Sequence, residues 1–271
     1  MTVLMQWPDA ELSIHLLYIY AETIGNSKVV GGNPLDQMMI GMLNSNIALY
    51  PHISITSSFY ENICRYSQFF DIRPEYIPKV LENFVGPFGL HYQNSIIQSR
   101  LYYLFLKFVK DLKTKIFPYV EFVLNNIQDI LSFPIPKKPS QIFDSQLFIF
   151  ESAGTMISLH QVPSDKKSEY LVAIVSPLIT MMQEIMNREL YKQEPYILHL
   201  SRLITVIGSL SKGFPDSGSK QLEGWPNVFK SALECIFAIV SILGDSILIR
   251  EAVFFVYLDS IYISKNGWLH G

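Results

Sequence analysis

Charge, cysteine, strand pattern and long hydrophobic runs are all scarce in this chain, and each shortage removes a class of protein. Charged residues make up 17% of the sequence, against about a quarter in a typical soluble domain. The net charge is −3, so the chain as a whole is no polycation, and any nucleic-acid contact must be a local patch. Cys64 and Cys235 stand far apart in apolar helical patterns. They form neither a disulfide framework nor a zinc spacing, and they read as reduced core thiols of a cytosolic or nuclear protein. The histidines His15, His52, His91, His160, His199 and His270 never pair at metal-ligand spacing. No Gly-X-Ser-X-Gly elbow or His-Glu-X-X-His helix occurs, so no catalytic residue, metal or cofactor is expected. The apolar runs at Cys235–Leu243 and Leu171–Val175 fall short of the ~18 residues of a membrane span. No membrane insertion is expected, and the N-terminus lacks the basic-then-apolar order of a secretory signal.

What remains is helix after helix. Proline and glycine punctuate the chain at helix starts and stops. Helices are expected over Pro8–Ile24, Leu35–Ile47, Pro51–Phe70, Pro74–Phe84, Tyr92–Lys113 and Ile116–Leu131. A proline-rich stop follows, FPIPKKPS. Then come Gln146–Leu159 capped by Asp144 or Ser145, a long helix from a Ser164 cap to Leu190 with Pro177 inside it, Tyr196–Leu210, Pro226–Leu243 and a last helix capped by Ser246. One helix of each pair starts near Pro8, Pro51, Gln93, Asp144, Pro195 and Ser246, at intervals of about 42 to 51 residues, close to the 40–47 of HEAT-type repeats. One pair cannot bury its apolar faces alone, so pairs must stack. The expected fold is all-α: a right-handed α-solenoid of five to six helix pairs, forming a single array over residues 1–271. A closed helical bundle is the alternative. The chain begins and ends in apolar helices, which predicts a piece of a longer solenoid or a truncated gene product.

The stretch YQNSIIQSRLYYLFLKFVKDLK, Tyr92–Lys113, is the most informative. Ile97, Leu101, Leu104, Phe105, Phe108 and Leu112 recur at helical spacing and face a core. Arg100, Lys107 and Lys110 lie elsewhere; Lys107 is ~20° and Lys110 ~80° around the helix from Arg100. Tyr103 falls in the same stripe, and Lys113 extends it, with Lys115 beyond. Cations neutralise phosphates and an aromatic ring stacks on a base or sugar, so Arg100, Tyr103, Lys107, Lys110 and Lys113 are the candidate nucleic-acid contacts. A plain solvated face is the competing reading. Lys137, Lys138, Lys166 and Lys167 read as loop and surface charges, and Glu61, Asp71, Glu75, Glu82, Glu121 and Asp129 as scattered helix solvation. GFPDSGSK, Gly213–Lys220, approaches a phosphate loop, but lysine and serine are exchanged and no strand precedes it, so an inter-helix loop is expected.

Tyr50–Leu131 resembles the middle of exportin-T, the tRNA exportin family of the karyopherin-β superfamily. The resemblance is carried by YPH, FYENICRYSQFF, IPKVLENF, then GL with SRLYYLFLKFVKDLK, and NNIQDIL; DSQLFIFESAGTMI continues it. It is strongest over Tyr50–His160. It implies a superhelical stack of HEAT repeats that binds mature tRNA together with the GTPase Ran in its GTP form. GTP then enters only as bound to Ran. The complex passes the nuclear pore through its proteins and is released in the cytoplasm, so a monomer shuttling between nucleus and cytoplasm is implied. Family members are longer, so this chain corresponds to a central segment. Two other readings stand beside it: a HEAT-repeat scaffold or protein-cargo karyopherin without RNA binding, and a phosphate-loop NTPase.

Overall fold

The computed structural model describes residues 6–23, 29–134, 143–214 and 225–264. Among them there is no strand, and the chain divides into two compact units, Met1–Ile127 and Gln128–Gly271. The first holds α1 (Trp7–Thr23), α2 (Pro34–Asn44), α3 (Ile53–Arg65), α4 (Phe69–Ile72), α5 (Ile77–Val85), α6 (Ser95–Leu112) and α7 (Val120–Asn126). The second holds α8 (Gln128–Leu131), α9 (Phe143–Ser158), α10 (Ser164–Asn187), α11 (Glu194–Lys212), α12 (Trp225–Leu243) and α13 (Ile247–Ser264).

In the first unit α1, α3 and α6 lie side by side in one row. In the second, α9, α11 and α13 form a row and α10 and α12 another. The row helices starting at Trp7, Ile53, Ser95, Phe143, Glu194 and Ile247 are those whose recurrence marked the repeat in the sequence. Each unit is therefore built of all-α, HEAT-type helix pairs, because a helix apolar on two sides is buried only between neighbours of its own kind.

The core of the first unit is aromatic. Phe84 on α5 meets Tyr60 on α3 at 4.4 Å and Phe105 and Phe108 on α6 at 5.2 and 5.3 Å between ring centroids. Phe70 meets Phe108 edge-on at 5.3 Å. Offset and edge-to-face rings add to area burial rather than merely filling space. A polar clamp holds the linker before α2. The buried Asp36 carboxylate accepts from the Gly32 amide at 2.7 Å and from Arg73 Nε and Nη2, one edge of the guanidinium, at 3.2 and 2.9 Å. The Arg73 hydrogen bonds, then the Gly32 amide, hold the Asp36 carboxyl below its ordinary range.

Several expected boundaries shift for identifiable reasons. The Pro51–Phe70 helix breaks after Arg65. Buried Tyr66 turns to donate to the Leu17 carbonyl at 2.6 Å, and the short α4 buries both Phe69 and Phe70. Ile116–Leu131 is three pieces: Lys113–Tyr119 is a 3-10 turn containing Pro118, followed by α7 and α8. Proline lacks the amide an α-helix needs there. Asp144 and Ser145 lie inside α9 rather than capping it. Ser164 opens α10 as its first residue after Pro163, not as its cap, and the helix ends at Asn187. Cys64 is buried, but Cys235 is only half-buried. Contiguous runs predicted no membrane-length segment, yet α10 is long and apolar enough by length and composition to cross a membrane. Its buried residues Leu171, Val175, Leu178, Met182 and Ile185 recur at steps of four and three, the one-sided stripe of a packed helix. Lys137, Lys138 and the Pro215–Lys220 part of the phosphate-loop-like stretch lie outside the described residues.

Candidate nucleic-acid interface

Helix α6 starts three residues later than its sequence pattern suggested, because Asn94 caps it. The Asn94 side chain accepts from the amides of Ile96 and Ile97 at 3.1 and 3.3 Å, satisfying two of the donors that a helix start leaves free. Leu101, Leu104, Phe105, Phe108 and Leu112 are buried as their spacing required. Tyr102, Leu106 and Val109 are buried as well. They widen the packed arc because α6 faces α3 on one side and α5 beneath.

A wide packed arc leaves a narrow open one. Ile96, Arg100, Tyr103, Lys107 and Lys110 are the outward line of α6, at steps of four, three, four and three, with Asp111 beside them. Four of the five residues expected as RNA contacts thus share one exposed stripe. Lys113, the fifth, is exposed at the C-terminal cap, where its φ of 50° turns the chain off the helical path.

Arg100 is not simply projecting into water. Its Nε donates to Glu61 Oε1 on α3 at 3.2 Å, its Nη2 lies 3.1 Å from the same oxygen as an ion pair, and its guanidinium lies 5.3 Å from the Tyr103 ring centroid. The Ser57 hydroxyl also donates to that Glu61 oxygen at 3.4 Å. Lys115 pairs with Asp71, so two acids read as scattered solvation are partners of the basic edge. Behind the stripe, Cys64 Sγ donates to the Leu104 carbonyl at 3.2 Å, and burial pushes its thiol up to about 12. That thiol is inert near neutral pH.

Sequence reasoning missed Arg65. It sits on α3 four residues after Glu61, its guanidinium 4.2 Å over the Tyr18 ring of α1. The signal was the repeat itself: laid one period apart, the open line of α3 ends beside that of α6. Away from this face, Lys166 pairs with Glu169 at 2.8 Å, and half-buried Lys167 donates to the Ser158 carbonyl at 3.2 Å. Both are spent on local structure.

A family model described as Exportin-T matches residues 2–267 of the chain. Exportin-T of Mus musculus is 28% identical over 260 residues, which is 90% of this chain and 27% of the relative. That of Homo sapiens is 33% identical over 196 residues, 69% of this chain and 20% of the relative. That of Dictyostelium discoideum is 28% identical over 271 residues, 93% of this chain and 25% of the relative. The chain spans about a quarter of the length of the curated relatives it matches.

Proposed function

The chain belongs to the exportin-T family, and on that footing we propose that it works as part of a nuclear export receptor for tRNA. In this reading it binds mature tRNA cooperatively with Ran-GTP, passes the nuclear pore by contacts with pore proteins, and releases its cargo in the cytoplasm. It is a binding protein, not an enzyme, and it acts as a monomer that shuttles between nucleus and cytoplasm. GTP belongs to Ran; the chain holds no nucleotide or metal of its own.

The observation that carries the RNA part is the single exposed line Arg100–Tyr103–Lys107–Lys110 on α6, with Lys113 at its end. A duplex RNA presents phosphates and 2′-hydroxyls rather than base edges, and is recognised by shape and charge. A rigid helix with cations about one to two turns apart suits that task. No base-specific pocket is needed, which agrees with a receptor that must accept many tRNAs of one shape.

The test is a titration of folded tRNA with this chain and with the double variant Lys107→Glu/Lys110→Glu, across a salt series. Reversing two phosphate-facing charges should weaken binding by on the order of tenfold or more and flatten the salt dependence. Unchanged affinity and slope, with helicity and melting intact, would reject the stripe and favour a scaffold that carries proteins.

A further inference from the structure

Helix α11 carries the line of α6 a second time. Ile96, Arg100, Tyr103, Lys107 and Lys110 have counterparts 102 residues later in Leu198, Arg202, Thr205, Ser209 and Lys212, at the same steps of four, three, four and three. The sequence itself repeats where the two arginines stand, as Ser99-Arg100-Leu101 and Ser201-Arg202-Leu203. Such steps keep all five residues on one side of a helix. The packing agrees. α11 lies in its row between α9 and α13, and beyond its first turn only Leu198, Arg202, Thr205, Ser211 and Lys212 are not buried. Ser209, in the place of Lys107, is buried. The open side of α11 is thus the α6 line two repeats on, with a cation at two of the same positions.

The two arginines share a setting and differ in one respect. Each guanidinium lies on an aromatic ring, Arg100 at 5.3 Å from the Tyr103 centroid and Arg202 at 4.8 Å from that of Phe143 at the start of α9. Arg100 is paired with Glu61. Arg73 and Arg188 are likewise held by carboxylates, and Arg250 donates to the Asp245 carbonyl. Arg202 has neither a hydrogen bond nor an ion pair among the described residues, although it is half-buried. A partly desolvated charge without a counter-charge is costly, and an arriving anion relieves that cost. Stacking fixes the plane of a guanidinium and leaves its N–H edge open. A phosphate accepts two parallel bonds from such an edge. Lys212 is engaged otherwise, its Nζ 3.7 Å over the Phe255 ring. We propose that Arg202 is a phosphate contact carried by the second unit, so that the open line of α11 is a further RNA-binding surface of this chain. This rests on the tRNA-binding reading above, because the likeness of the α11 line to that of α6 is what assigns the anion as an RNA phosphate.

Folded tRNA is titrated across a salt series with this chain, with Arg202→Gln, with Arg202→Lys and with Lys107→Glu/Lys110→Glu, and the free variants are melted alongside. Arg202→Gln should weaken binding several-fold and make the log–log salt slope shallower by about 0.7 to 0.9, the value of one phosphate contact. Arg202→Lys should keep the slope and lose part of the affinity, since ammonium retains the charge without the fork. A glutamine variant that melts lower and binds less tightly at an unchanged slope would make Arg202 a structural residue and overturn the proposal. If Arg202→Gln changes neither affinity nor slope while the lysine reversals weaken binding, RNA does not reach α11, and the proposal is wrong with the tRNA-binding reading intact. If Arg202→Gln alone weakens binding and flattens the slope, the α11 contact stands and the α6 line does not. If none of the variants changes binding, the tRNA-binding reading fails and the proposal falls with it.

Discussion

His199 is 1% exposed on α11 and lies flat against Phe133, ring centroids 5.4 Å apart and planes 5° from parallel. Neither ring nitrogen has a hydrogen-bond partner among the described residues. Burial, and secondarily the nearby Arg202 charge, push its pKa down to about 4 from an ordinary 6.5. Between these values the unfolded chain takes up a proton that the folded chain refuses. Stability therefore falls as pH is lowered from about 6.5 toward 4. An unpaired buried polar group costs roughly 1–3 kcal/mol, and phenylalanine keeps the stack without that cost. His199→Phe should raise the melting temperature at pH 5 and flatten its dependence between pH 6.5 and 4. Parallel melting curves for both proteins over that range would assign the dependence to other groups. The sequence shows only that His199 has no partner at metal-ligand spacing; an apolar neighbourhood assembled from Phe133 and Phe143 is not visible from spacing along α11.

Helix α9 crosses α11 so closely that a Cβ on Gly154 would land on the Leu210 carbonyl oxygen, with the Gly213 Cα 3.3 Å away. Alanine is a better helix former than glycine by about 1 kcal/mol, so propensity alone would have Gly154→Ala stabilise the chain. Overpacking against backbone costs about 1–3 kcal/mol and reverses the sign. Gly41 on α2 is the contrast, since nothing lies within 4 Å of its Cβ position. Urea unfolding should show Gly154→Ala less stable and Gly41→Ala more stable than the parent chain; a Gly154→Ala chain as stable as the parent or more so would refute the close crossing. The helices themselves were legible because apolar residues recur at 3.6-residue spacing with proline and glycine stops. Their interruptions were less so. Tyr66 fits the helical stripe of Ile63 and Phe70, and only its hydrogen bond to Leu17 shows why the helix ends there.

In the export receptor proposed above, a ligand shifts the affinity of another only by what it contributes to a shared state. If Ran-GTP and tRNA favour the same conformation, each raises the affinity for the other by one common factor. Full-length receptor should bind tRNA more tightly with Ran-GTP than with Ran-GDP, typically by about 5- to 150-fold. The same factor should appear when Ran-GTP is titrated with and without tRNA. Equal affinities in all cases would reject cooperative export, though not the charged face of the first unit.

The sequence by itself determined that the chain is helical, where its row helices recur, which side of α6 is core, and the family to which it belongs. Each of these is written locally or in an ordered series of segments: a period of 3.6 within a helix, a longer period between helices, motifs in fixed order. Tertiary structure alone decided what the open side of α6 meets. Glu61 and Arg100 are 39 residues apart, and no pattern within either helix says that they pair. Arg65 reaches Tyr18 only because α1 and α3 lie side by side. Charge and periodicity fix which residues face outward, but the distances across helices, set by how bulky side chains pack between them, decide which of those residues act together.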